Sequence, residues 1–168
     1  MKHLSLAGLV FFMLFGSAQA TRPVKTTIEV VAEVNTSVRV YVEGRDVTNG
    51  VISLQLEDKN GYMFGVTPAF QFVGNASAVS LTLNQPSGGG LLSENNDLME
   101  INNAWVRSDG AEVSSDYPLY NQPVYPTLQA IPDRERGVKV RFSSAKRSEA
   151  YPLGRYSGSY EIIVTPSV

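Results

Sequence analysis

The acidic pairs Asp133 with Glu135 and Asp97 with Glu100 come nearest, by type and spacing, to groups that could do chemistry in this chain. Two carboxylates can divide general acid and general base work between them in glycoside hydrolysis, provided that burial drives their pKa values apart. Both pairs stand in polar stretches, where solvated surface charge is the expected role. Beyond them the inventory is short, because the chain has no cysteine and a single histidine, His3. That histidine falls in an N-terminal stretch expected to be cleaved off, and without it there is no Ser-His-Asp or Cys-His nucleophile system, no histidine base, no zinc site of the usual ligands and no disulfide. The expectation is a protein that is not an enzyme and carries neither a cofactor nor a metal.

Trp105 and the tyrosines could stack on sugar rings, but packing in a core or on a sheet surface is the commoner fate of such side chains. Asn35-Thr36-Ser37 and Asn75-Ala76-Ser77 match the N-glycosylation tripeptide, which matters only for a chain that passes through an endoplasmic reticulum. Pro86-Ser87-Gly88-Gly89-Gly90 is a flexible loop, and a plain surface connection is its expected use. The net charge of −2 and the lack of a basic run argue against nucleic acid or an anionic membrane surface as a partner.

These groups must be held by strands. The N-terminus, however, reads as a leader: basic Met1-Lys2-His3, then a nearly unbroken apolar run from Leu4 to Phe15, then Ala18-Gln19-Ala20. The small residues Ala18 and Ala20 place a cleavage before Thr21, and the apolar run is shorter than the roughly 20 residues an anchor needs. Residues 1–20 are therefore expected to be removed, leaving about 150 residues, the size of one ordinary domain. Small exported domains often compensate for a limited core with disulfides. This one must find its stability elsewhere.

Almost nothing in the remaining chain has a helical period. Alternating runs suited to strands occupy 38–42, 51–56, 69–73, 78–83, 98–106, 124–131, 138–142 and 156–164, and Asn60-Gly61 between the second and third reads as a hairpin turn. The prolines at 118, 123, 126 and 132 break residues 116–133 into short extended pieces, expected at an edge or in a crossing loop. The spacing suits a sandwich of short antiparallel strands.

The first run of the mature chain, Thr26-Thr27-Ile28-Glu29-Val30-Val31-Ala32-Glu33-Val34, alternates most cleanly. Its apolar face is Val24, Thr26, Ile28, Val30, Ala32 and Val34, with Glu29 and Glu33 opposite. It could fold back on residues 38–42 as a hairpin through Asn35-Thr36-Ser37. Equally, it could leave its own subunit and add to a neighbour's sheet, where main-chain bonds give affinity and alternate side chains give register.

"TIEVVAEVN" directly behind a leader resembles the mature N-terminus of the major pilins of colonisation-factor-antigen type fimbriae. Ile28, Val30, Ala32, Val34 and Asn35 match in order. The closing "PLGRYSGSYEIIVTP" is similar to the same family's G-x-Y-S-G motif and last strand, with Gly154, Tyr156, Ser157 and Gly158 in place. The resemblance covers about a sixth of the mature chain.

It implies an alpha-fimbrial subunit of the alternate chaperone–usher pathway, with an incomplete immunoglobulin-like antiparallel sandwich completed by donor-strand exchange. On that basis residues 21–35 are the donor extension and 36–168 the sandwich domain. The implied partners are further copies of the chain, a periplasmic chaperone, an outer-membrane usher and a tip adhesin, and the location is the bacterial surface, reached through the periplasm. By the same resemblance one wall of the acceptor groove is the last strand, through Tyr156, Gly158, Tyr160, Ile162 and Val164. The competing readings are a secreted or periplasmic self-contained sandwich that binds a glycan or a protein, and a minor subunit of the same fimbrial system.

Overall fold

The computed structural model describes residues 29–168, and Val34–Val168 forms one compact unit. The expected leader, and Val24, Thr26 and Ile28 of the N-terminal strand, lie outside the described residues. The fold is all-β apart from two single 3₁₀ turns.

β1 (Val38–Val42) lies between β2 (Arg45–Asp46) and β5 (Phe70–Gly74) in a first sheet. β6 (Ala78–Asn84) lies between β10 (Leu119–Pro123) and β13 (Glu161–Ser167) in a second. Past its last residue β10 reaches Tyr125, whose N–H donates to Phe72 O at 2.9 Å and whose carbonyl accepts the Gly74 N–H at 3.0 Å. That contact joins the first sheet to the second. The third sheet runs β12 (Tyr156–Ser157), β7 (Gly90–Ser93), β8 (Leu98–Val106), β11 (Lys139–Ser144), β4 (Tyr62–Val66) and β3 (Glu57–Lys59), with β9 (Glu112–Ser114) also on β8. Every pairing between these strands is antiparallel.

The core forms where the alternation of facing strands points the same way. Phe72, Val79 and Leu81 from β5 and β6 meet Ile101, Trp105, Val140 and Phe142 from β8 and β11. Trp105 is fully buried, and its indole N–H donates to Tyr117 O at 3.3 Å, so its one polar atom keeps a partner inside. This ring is core, not a sugar platform. The β3–β4 hairpin turns through Asn60 and Gly61, both at positive φ as the Asn-Gly pair demands. Gly74 ends β5 where a Cβ would run into the Ser37 carbonyl and the Val38 Cα, so glycine there lets β1 and β5 close.

Three expected strands are corrected. Residues 51–56 alternate well but belong to no strand. Residues 124–131 hold only the Tyr125 bridge and a 3₁₀ turn, Leu128–Ala130, because Pro126 cannot extend a ladder and Thr127 caps the turn with its hydroxyl accepting the Ala130 N–H. The expected single last strand, 156–164, is two strands, β12 and β13, separated at Gly158-Ser159-Tyr160 where the chain passes from the third sheet to the second.

Candidate functional site

β13 is hydrogen-bonded on one side only. Its register with β6 runs from Glu161 opposite Asn84 to Ser167 opposite Ala78, and among the described residues its other edge has no strand. Pro166, which cannot donate to a ladder, fits such an edge. Alternation sends Ile162 and Val164 onto the core and leaves Glu161, Ile163 and Thr165 facing out.

Tyr160 immediately precedes β13, and its ring meets that of Phe142 edge-on, with centroids 4.8 Å apart. The Tyr160 hydroxyl is buried without a hydrogen-bond partner, and burial pushes the phenol's pKa up. Asn103, the Cα partner of Phe142 across the β8–β11 ladder, likewise has a buried side-chain oxygen without a partner. A buried donor and a buried acceptor, each costly to leave unpaired, thus flank one phenylalanine.

A stretch without ladder partners borders the same place. In residues 51–56, Ile52 and Leu56 pack on the core while Val51 is 93% exposed. Leu54 and Leu56 lie over Gly65, where a Cβ would stand 2.7 Å from Leu56 Cδ2 and 3.5 Å from Leu54 Cδ2. Gly65 is the Cα partner of Phe142 in the β4–β11 ladder. Such partners share a face and sit close together. Tyr160 and Leu56 therefore cover adjacent residues of one rung, and the free edge of β13 and a stretch of backbone without ladder partners approach one strip of the core.

The N-terminal segment is the complement of this. Residues 29–37 belong to no strand, and Val30 and Val34 are 85% and 84% exposed. β1 pairs with β5 along its length and with β2 at Tyr41 and Val42, and residues 29–37 do not pair with it, so the hairpin with residues 38–42 is not formed among the described residues. The point where the segment meets the domain is held firmly. The Asn75 side chain accepts from the Ser37 N–H at 2.7 Å and donates to Asn35 O at 3.1 Å, while the Asn75 N–H donates to Ser37 O at 3.1 Å.

Of the expected groove residues, Tyr160, Ile162 and Val164 lie at or on the open edge. Tyr156 and Gly158 lie elsewhere. Tyr156 pairs with Ser93 of β7, rests its ring against Tyr151, and donates its hydroxyl to Pro152 O at 2.8 Å. A Cβ on Gly158 would meet Leu91 and the Gly90 carbonyl, so that residue packs on β7. The carboxylate pairs hold local turns: Asp133 accepts the Glu135 N–H at 2.9 Å, and Asp97 accepts the Ser93 hydroxyl at 3.1 Å. Residues 51–56, Gly65, Phe142 and Asn103 escaped sequence reasoning as parts of the site. The one available signal, alternation at 51–56, reads as an ordinary paired strand.

No protein-family model matches the chain, and no curated protein matches it. Among solved structures it is similar to a chain of a chaperone–tip adhesin complex described as vital for synergistic activation of CFA/I fimbriae biogenesis. The TM-score is 0.46 and the identity 16%, covering 77% of this chain and 42% of that one. The chain thus spans less than half the length of the one it matches.

Proposed function

We propose that the protein is a major structural subunit of a surface fimbrium, polymerising when residues 24–34 of one copy enter the open edge of the next. One observation carries this reading: a sandwich with one free strand edge and one stretch without ladder partners over the same strip of core, in a chain whose own alternating N-terminal segment leaves Val30 and Val34 exposed. The resemblance of both chain ends to colonisation-factor pilins supports it. A strand laid on β13 would find main-chain donors and acceptors along its length.

The energetics favour a durable joint. Ile28, Val30 and Val34 would each contribute on the order of 1.5–3 kcal/mol if wholly buried, with Ala32 adding less. A slip by one residue would turn Glu29 and Glu33 into the core, so the alternation itself guards the register. Because the donating and accepting surfaces differ, the contact is head-to-tail and grows into a filament. In this reading a periplasmic chaperone covers the edge before assembly, an outer-membrane usher exports the subunits to the cell surface, and a tip adhesin is carried at the end.

Substitution Ile28→Asp or Val30→Asp tests the reading. Each would bury an unpaired carboxylate in the joint. Export and the melting temperature of the single subunit should be unchanged while electron microscopy finds no fibres. Fibres of wild-type length and number from either variant would sink the proposal, and Glu33→Gln, on the outward face, should leave fibres intact.

A further inference from the structure

Resting on the strand exchange just proposed, the geometry points to one register for the joint: the incoming strand lies antiparallel on β13 with Ala32 opposite Tyr160. Size selects it first. Tyr160 is the one aromatic among the inward residues of this edge, and its ring already fills the space over Phe142. Ala32 is the one small residue on the incoming apolar face, which is otherwise Val24, Thr26, Ile28, Val30 and Val34. Setting the two opposite each other also places Val30 over Ile162 and Ile28 over Val164, and brings the polar Thr26 to Pro166, at the exposed end of the strand.

Charge selects the same register independently. On the outward face this alignment puts Val31 opposite Glu161 and Glu29 opposite Ile163. A two-residue slip, the smallest that keeps the apolar face inward, brings Glu29 opposite Glu161 in one direction and Glu33 opposite Glu161 in the other. Like charges directly opposite are destabilising across a ladder. Glu161 accepts a bond from the Asn84 amide at 3.3 Å, and among the described residues no cation pairs with it. A parallel strand with Ala32 on Tyr160 fails twice. It sets Glu33 against Glu161, and it leaves Val34 as the last anchor before the chain becomes β1 of its own domain. Three glutamates, two on the strand and one on the edge, thus bracket a single alignment.

Engineered cysteine pairs read the register directly, since the chain has no cysteine of its own. The positions used leave all three glutamates in place. Full-length chains carrying Thr27→Cys with Thr165→Cys, with Ile163→Cys or with Ser167→Cys are expressed in the native host. Surface material is then run on denaturing gels without reductant. The stated register puts residue 27 opposite 165, whereas the slipped registers put it opposite 163 or 167. A reductant-sensitive ladder of oligomers is expected for the first pair and should be lost for the other two. Glu161→Lys, which would attract Glu29 or Glu33, should make the slipped pairs cross-link.

A dominant ladder from the 163 or 167 pair in the Glu161 background overturns the register while leaving strand exchange standing. Fibres that show no ladder with any of the three pairs overturn both the register and the use of β13 as the acceptor edge.

Discussion

Leu81 and Val164 face each other across one ladder, yet they live in different environments. Leu81, on β6 with a strand on either side, is 0% exposed, whereas Val164, on β13 with a strand on one side, is only half-buried. The chemistry of the two inward faces hardly differs, for both strands point aliphatic side chains at the core. What differs is the neighbour. Pairing on both edges brings side chains from two flanking strands around a residue, and a strand paired once carries an apolar face it has only half covered. β1 supplies a control on the opposite flank: Val42, with a strand partner on either side, is buried, while Val38, paired only with β5, is half-buried.

The largest effect should come from the closed side. Leu81→Ala removes a fully enclosed side chain that the packed layers cannot collapse around, at a cost of about 3–5 kcal/mol. That is a large share of the roughly 5–15 kcal/mol that holds a typical domain together. Denaturant titration of the subunit should show the midpoint fall steeply. A loss as small as that at Val164 would break the comparison.

Val164→Ala should cost the isolated subunit about 1 kcal/mol, because much of that side chain is already in water. In assembled fibres the same change should cost more, since the incoming strand would have completed its burial. Measuring thermal dissociation of fibres beside unfolding of subunits separates the two. An equal loss in both would mean that nothing covers β13 on assembly.

Asn75→Ala comes next. It deletes the bonds to Ser37 N–H and Asn35 O, at an expected cost of about 1–2 kcal/mol. Because the clamp fixes where the N-terminal segment leaves the domain, hydrogen exchange should quicken at residues 35–38 and stay unchanged along β13. Faster exchange on β13 would show that the two flanks are coupled rather than independent.

Much of the strand layout is legible in the amino-acid sequence itself. Residues 38–42 and 98–106 coincide with β1 and β8, and the strands at 78–83 and 138–142 fall within a residue or two of the observed ones, because alternation and burial agree there. The failures have a common cause, which is that periodicity reports a side chain's preference for one face and says nothing of whether a backbone partner is present. Ile52, Leu54 and Leu56 have the pattern of a strand and no ladder. Tyr156 and Ile162 share a phase, yet the residues between them carry the chain from one sheet to another. The orphaned Asn103 oxygen lies beyond sequence reasoning, since an asparagine within an alternating run reads as an outward residue until β11 shows which face is inside. At the open edge, the inward phase of Ile162 and Val164 was legible in the alternation, and the rung under it was not.

The smallest expected effect lies on the closed flank, in the β1–β2 hairpin. Asp46 is drawn down to about 2 by the Thr48 hydroxyl and N–H and then by the Arg39 guanidinium, which approaches to 2.7 Å. A carboxylate whose folded pKa lies below its unfolded value stabilises the fold fully above the unfolded value near 3.9, and that contribution fades as pH falls through about 2. Asp46→Asn should therefore lower the melting temperature slightly at about pH 6 and leave it unchanged below about pH 2, where the wild-type side chain has itself become neutral. Because the bonds from Thr48 rank ahead of the ion pair, added salt should remove only part of the difference at the higher pH. A difference that vanished in salt would assign the effect to Arg39 alone, and one that grew toward low pH would contradict the sign.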